Sequence, residues 1–221
     1  MHSAHRHPAS ILLFALLCLV GLSTHVRAQT HDVQWWPDTQ LSIRITPQLS
    51  GVFLANIRFG RDVTATVTQQ YGAGLNWAIH RQLTGAVQYR YVISDPTEGR
   101  HSLEHRFQVD LTPRLPLSHG VTLVNRWRAE YRRLGGTTAG RFSERLQFER
   151  NLSIHDHKFT PYVAGESYFD TRTHAFSRNR ILFGARTPVN KHLTLDTFYM
   201  HQWDARAKPG FWHVIGTYLR F

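Results

Sequence analysis

Apolar and polar residues alternate with period two along almost the whole chain, and no other feature restricts the fold as much. Between Leu103 and Leu111 the odd positions are Leu103, His105, Phe107, Val109 and Leu111; the even ones are Glu104, Arg106, Gln108 and Asp110. Successive side chains of a strand point to opposite faces, so this spacing predicts a strand with one apolar and one polar face. Val121 to Arg132 repeats it, with Trp127, Ala129 and Tyr131 opposing Arg126, Arg128, Glu130 and Arg132. The same reading covers Val67–Ile79, Leu83–Ile93, Phe142–Leu152, Val163–Asp170, Arg178–Arg186 and Phe211–Phe221, and it places Val67 on the apolar face with Tyr71. No window sustains a helical period of 3.6 residues.

An all-β chain of this kind is either a soluble sandwich or a membrane barrel. A sandwich gathers its aromatics mid-strand, in the core. Here they sit towards strand ends. Phe59, Tyr91, Tyr131, Phe169, Trp203 and Phe211 form one level, and Trp77, Phe159 and Phe221 another, with Leu, Val and Ala between. Two aromatic levels around an aliphatic band are what lipid interfaces select. A mean hydropathy of −0.35 excludes a bundle of membrane helices but suits a barrel, whose strands average out as hydrophilic.

Connections near Pro47–Gln48, His80–Arg81, Pro113–Ser118, His155–Lys158 and Val189–Lys191 read as short. Those near Arg61–Thr64, Ser94–His101, Leu134–Gly140, Thr171–Ser177 and Asp204–Gly210 read as longer or more polar. Short turns on one side match the periplasmic side of outer-membrane barrels. The expected fold is therefore all-β, a transmembrane antiparallel β-barrel of 10–12 strands. Twelve is favoured because single-chain bacterial barrels usually have even counts. It requires Val33–Pro37 to end an additional strand before Gln40–Thr46, whereas discounting one segment gives ten.

The first residues read as an address. A polar start (His2, His5, Arg6, His7) precedes the apolar run Ile11–Leu22 and the small-residue pattern Val26-Arg27-Ala28. The run is shorter than the roughly 20 apolar residues a spanning helix needs. Residues 1–28 are thus expected to be a cleaved signal peptide, and 29–221 the barrel domain, in the outer membrane of a Gram-negative bacterium. Cys18, the one cysteine, falls in the signal peptide, leaving the barrel domain without a disulfide or thiol site.

Gly216, Leu219 and the final Phe221 have the spacing of the assembly signal on outer-membrane barrels, which makes the barrel-assembly machinery an expected partner. Val214 stands where that signal usually has a polar residue. Trp35 or Trp36 leads into the strands; Arg126-Trp127-Arg128-Ala129-Glu130-Tyr131-Arg132, Arg141-Phe142-Ser143-Glu144-Arg145-Leu146, Pro161-Tyr162 and Asn179-Arg180-Ile181-Leu182-Phe183-Gly184 follow. With the closing His213–Phe221, these motifs resemble the bacterial domain-of-unknown-function family numbered 2490, small outer-membrane barrels, over nearly all of the barrel domain. The resemblance implies fold and location and transfers no catalytic residue.

Chemistry, if any, belongs to the polar face. It carries Arg44, Arg58, Arg90, Arg106, Arg126, Arg128, Arg132, Arg145, Arg178, Arg180, Arg186 and Arg220. Interleaved acids are Glu104, Asp110, Glu130, Glu149, Glu166, Asp170 and Asp196. One reading is a narrow anion-preferring pore, since arginine rings favour anions. The other is a structural lumen filled by salt bridges, for which the planar guanidinium is equally suited. The alternative is a lipid-modifying enzyme, an acyl hydrolase or acyltransferase with a site near the outer rim. It lacks a His-x-Ser pair on any strand; His105, His201 and His213 fall on the lipid face, and His101-Ser102 point to opposite faces. His155-Asp156-His157 lacks a third metal ligand, so neither metal nor cofactor is expected.

The chain has 26 Lys+Arg against 15 Asp+Glu. Export of the chain and the absence of a nucleic-acid fold argue against a nucleic-acid partner. Outer-membrane lipids, and lipopolysaccharide through Arg100, Arg172, Arg206 and Lys208, suit the charge better. The oligomeric state is left open.

Overall fold

The alternating segments become twelve strands in a computed structural model that describes residues 31–97, 99–155, 157–205 and 210–221. The signal-peptide segment 1–28 lies outside the described residues. The strands are β1 (His31–Arg44), β2 (Leu49–Gly60), β3 (Ala65–His80), β4 (Leu83–Thr97), β5 (Arg100–Pro116), β6 (Val121–Leu134), β7 (Thr137–Arg150), β8 (Leu152–Ile154), β9 (His157–Asp170), β10 (Ala175–Pro188), β11 (Thr194–Asp204) and β12 (Phe211–Arg220). Each pairs antiparallel with its neighbour, and β12 closes on β1. β8 only prolongs the line of β7 at the hairpin into β9, through Leu152 opposite Phe159. The barrel therefore has eleven crossings.

Eleven corrects the favoured twelve. Val33–Pro37 is not an extra strand but the first half of β1, continuous with Gln40–Arg44. Pro37 was the apparent break. It has no N–H for the ladder, and the β1–β2 register skips from Trp35 to Asp38 without shifting. The β1–β12 side runs through it unbroken, from His31 opposite Phe211 to Gln40 opposite Arg220. An odd number of crossings makes the two closing strands run the same way, and this seam is parallel. We call the two rims the Pro47 end, after the β1–β2 turn, and the Gly135 end, after the β6–β7 turn.

Loop lengths also differ from expectation. Ser94–His101 and Leu134–Gly140, read as long, lie mostly within strands that run on past the apolar band. Among the described residues both rims are trimmed by short turns, so loop length does not distinguish them.

The distribution of side chains is the reverse of a soluble protein. Glu104, Gln108, Glu130, Glu166 and Gln202 are buried, while Phe107, Val109, Trp127, Phe142, Phe183 and Ile215 are about half exposed. In water this would leave a continuous apolar band without a partner. Hydrocarbon supplies one, and closure satisfies the backbone without a free edge. The fold is a transmembrane β-barrel. Aromatics mark its outer band, with Trp35 stacked on Phe59 at 5.4 Å and Phe169 edge-on to Phe176 at 5.7 Å.

A bulge corrects one assignment. Arg58 pairs with Thr68 but Phe59 with Thr66, so Val67 is the extra residue and turns inward, 8% exposed. Beyond it, Arg61, Asp62 and Val63 all have positive φ (53°, 55° and 65°). Asp32 holds this turn, its Oδ1 accepting from the Asp62 N–H at 2.8 Å. Val63 is 42% exposed and β-branched, a poor residue for that conformation. Val63→Gly is expected to stabilise the barrel by about 0.5–1 kcal/mol, read as a rise in the urea midpoint; an unchanged or lower midpoint would show the turn to be unstrained.

Candidate functional site in the barrel lumen

Because side chains alternate, the even positions of β4 to β6 and β9 to β12 and the odd positions of β7 converge on the barrel axis. Towards the Gly135 end they form a cross-linked network. Glu104 accepts from Arg132 Nε at 2.6 Å and Nη2 at 2.7 Å, and from Arg106 Nε at 2.9 Å. Arg106 also reaches Glu130 at 3.8 Å. Arg132 and Arg141 approach Asp170 at 3.8 and 3.5 Å, and Arg178 Nε donates to Asp204 at 2.9 Å. At mid-barrel Arg128 forks Asp110 at 2.8 and 2.7 Å, and both line a cavity there. Gln70, Gln108 and Gln202, each at most 2% exposed, complete a filled layer.

Nearer the middle, Glu166 takes Arg126 and Arg180, and Arg180 also donates to Gln202 at 2.7 Å. Glu149 joins Arg114 to Arg186. Asp196 accepts from Arg220 and from the Tyr162 hydroxyl, both at 2.8 Å.

One wall of the lumen is apolar. Trp36, Tyr162, Ala164, Leu182, Met200 and Val214 form a cluster, with Phe198 and Trp212 packed on it. Two glycines make room. Phe198 lies directly on Gly216, its cross-strand partner, and the Tyr162 ring lies on Gly184, where an added Cβ would come within 2.6 Å of it.

Between this wall and the arginines lies a cavity of about 600 Å³. Its lining runs from Pro47 and Gln48 at the rim to Arg58, Arg90, Arg126 and Arg180 at mid-barrel, and includes none of the filled-layer glutamines. Apart from Arg44, exposed at the rim, three arginines here differ from the rest. Arg90 donates only to Asn56 at 3.2 Å and Gln88 at 3.1 Å, and Arg145 only to Gln147 at 2.8 Å. Arg58 stacks on Trp36 at 3.9 Å. None has a carboxylate within ion-pair distance among the described residues; Asp38 lines the same cavity without such a pair. The Nε atoms of Arg58, Arg90, Arg126 and Arg145 are buried without an acceptor. The cavity thus has positive charge and spare donors, and buried donors favour an acceptor strongly.

Among the sequence-predicted polar-face residues, Arg90, Arg106, Arg126, Arg128, Arg132, Arg145, Arg178, Arg180, Glu104, Glu130, Glu149 and Glu166 face the interior. Arg114, Arg141, Asp32, Asp38 and Asp204 also face inward and were not singled out. Strand parity carried that signal for Arg141, two residues before Ser143. The inner aromatic wall had no such signal, because aromatics suit either face. Of the assembly-signal residues, Gly216 faces the lumen beneath Phe198, while Phe221 is exposed at the Pro47 end.

The histidines offer less. His101 Nδ1 and Asp95 share a hydrogen bond of 2.8 Å at the Gly135 end, but the neighbouring Ser102 hydroxyl turns to the Ser94 carbonyl at 3.4 Å. His105 bonds Tyr89 at 2.6 Å and His213 bonds Tyr199 at 2.7 Å, both on the outer surface. His201 packs edge-on to Trp203 at 4.4 Å. Asp156 of the His155–His157 turn lies outside the described residues; among those described, no three acidic, histidine or cysteine residues gather as a metal site.

Comparison with solved structures gives likeness to LpxR from Salmonella typhimurium, with TM-score 0.47, 10% identity, and coverage of 79% of this chain and 83% of that one. The siderophore receptor PirA from Pseudomonas aeruginosa matches with TM-score 0.29 and 12% identity, over 76% of this chain and 34% of that one. Comparison with curated proteins gives no match. A family profile described as "Protein of unknown function (DUF2490)" matches residues 33–212, most of the barrel, and the chain belongs to that family.

Proposed function

We propose that this protein is a non-enzymatic outer-membrane β-barrel of a Gram-negative bacterium that binds small anions in a blind, arginine-lined vestibule. The observation that carries the reading is the uneven pairing of the lumen arginines. Towards the Gly135 end nearly every guanidinium is matched by a carboxylate, and the layer is filled. In the cavity, Arg58, Arg90 and Arg145 are not matched, and buried Nε–H groups point at no acceptor. An anion would answer both the charge and the donors.

The vestibule opens at the Pro47 end, where β12 finishes with its Gly216, Leu219 and Phe221 spacing. We assign that end to the periplasm, with the barrel-assembly machinery reading that strand. The Gly135 end then faces outward. Arg100 and Arg172 are exposed there, suited to lipopolysaccharide phosphates; Arg206 and Lys208 lie outside the described residues.

The test combines conductance with binding. Refolded protein in a planar bilayer is expected to pass no steady ion current, yet to bind inorganic phosphate saturably, read by titration calorimetry. Arg90→Gln combined with Arg145→Gln is expected to weaken binding at least about tenfold, since each charge-assisted hydrogen bond is worth roughly 1.5–3 kcal/mol. Anion-selective steps from the unmodified barrel would make it a pore. Absence of both current and binding would leave a purely structural lumen.

A further inference from the structure

The outer surface of the barrel carries a polar row inside its apolar band. On the outward face, Trp127 of β6, Glu144 of β7, Ser167 of β9 and Asn179 of β10 are consecutive cross-strand partners. Asn125 Nδ2 and Trp127 Nε1 both donate to Glu144 Oε1, at 2.7 and 3.1 Å. The Ser167 hydroxyl donates to Asn179 at 2.8 Å. Among the described residues, Glu144 is the one carboxylate in the apolar band, and no cation pairs with it. Among the described residues its second oxygen, Oε2, accepts no hydrogen bond.

A groove of about 430 Å³ lies over this row, walled by Val109, Ala129, Phe142, Phe169 and Phe176. That is within the size range of ligand cavities. An ionisable group in this setting is costly unless something answers it.

Depth decides what can answer it. Glu144 stands six residues from Arg150 and seven from Thr137, about 20 Å along the strand from either end. Phe142 lies beyond it on one side and Phe148 on the other, so the position belongs to the acyl region. A headgroup ammonium at the membrane surface does not reach it. The donor has to be carried at chain depth, and the apolar walls fit an alkyl chain.

We propose that this groove binds a lipid acyl chain that bears a hydroxyl, the chain packing against Phe142, Phe169 and Phe176 and the hydroxyl donating to Glu144. The site is on the opposite face of the sheet from the vestibule and is independent of it.

The test uses full-length barrel refolded into phosphatidylethanolamine vesicles that contain an N-acyl lipid with either a 12-hydroxyoctadecanoyl chain, whose hydroxyl lies at mid-chain depth, or its unsubstituted twin. Native mass spectrometry of the extracted protein reads the retained lipid. The unmodified protein is expected to retain the hydroxylated lipid about tenfold over its twin, the factor set by one hydrogen bond of about 1.4 kcal/mol. Glu144→Leu abolishes that preference. Ala129→Trp, which fills the groove and leaves the carboxylate in place, lowers retention of both lipids and decides the matter if Glu144→Leu does not fold. Heat-modifiable migration on gels scores folding. Equal retention of the two lipids overturns the proposal, as does a preference that survives Glu144→Leu. Retained phosphatidylethanolamine that is lost with Glu144 overturns it in favour of a headgroup amine. A dimer mass lost with Glu144 overturns it in favour of a second barrel.

Discussion

Glu104→Ala is expected to destabilise the barrel by about 3–5 kcal/mol and to let ions through it. Glu104 is 5% exposed and accepts three charge-assisted hydrogen bonds, two from Arg132 and one from Arg106. Alanine removes the acceptor and leaves two guanidinium groups in the filled layer. Breaking a buried pair from one side costs far more than the pair itself is worth, because the remaining charge is desolvated without a partner. Water and anions then enter to solvate the arginines, and the layer opens. Urea unfolding in lipid vesicles, followed by tryptophan fluorescence, measures the first effect. Anion-selective conductance steps, absent in the unmodified barrel, measure the second. Glu104→Gln keeps the shape and an acceptor, so it should lose less stability and conduct less. A barrel that tolerates Glu104→Ala with unchanged midpoint and no current would show that this layer is not what closes the lumen.

The second large effect concerns the inner wall. Gly216→Val is expected to cost about 3 kcal/mol, at the upper end of overpacking penalties, because the Phe198 ring occupies the space the new side chain needs. Phe198 cannot swing away freely. It packs on the cluster of Trp36, Tyr162, Leu182 and Met200 and forms part of the vestibule wall. Adding Phe198→Ala to Gly216→Val should recover part of the loss, and the double-mutant cycle should show strong coupling, as expected of residues in direct contact. Additive losses would mean that Gly216 matters through assembly alone, as the spacing of Gly216, Leu219 and Phe221 suggests, and not through the ring it supports.

Much of this architecture follows from parity. A residue two positions along a strand returns to the same face, so Glu104, Arg106, Gln108 and Asp110 had to share a side whatever the fold. The aromatic levels then selected lipid over water for the other side. Parity failed at Val67, where a bulge inserts one residue. Proline signals failed at Pro37, which was read as a boundary although only one of the two ladders at that strand skips it. Loop composition failed as a guide to loop length, since Ser94–His101 and Leu134–Gly140 carry turn residues but continue as strands.

The sequence by itself determined strand character, the polar and apolar faces, and membership of the lumen for the arginines and acids, because these depend on neighbours two residues apart. Tertiary structure decided the rest. Strand number and the parallel seam depend on pairing between residues about 180 positions apart, such as Trp35 with Ile215. Which guanidinium meets which carboxylate depends on contacts across the barrel, such as Arg126 with Glu166, 40 residues on. Closure of the sheet left Arg58, Arg90 and Arg145 beside a cavity and set Glu144 in the apolar band beside Asn125 and Trp127. Local pattern dictates which way a side chain points, but only the closed ring of strands dictates what it meets there.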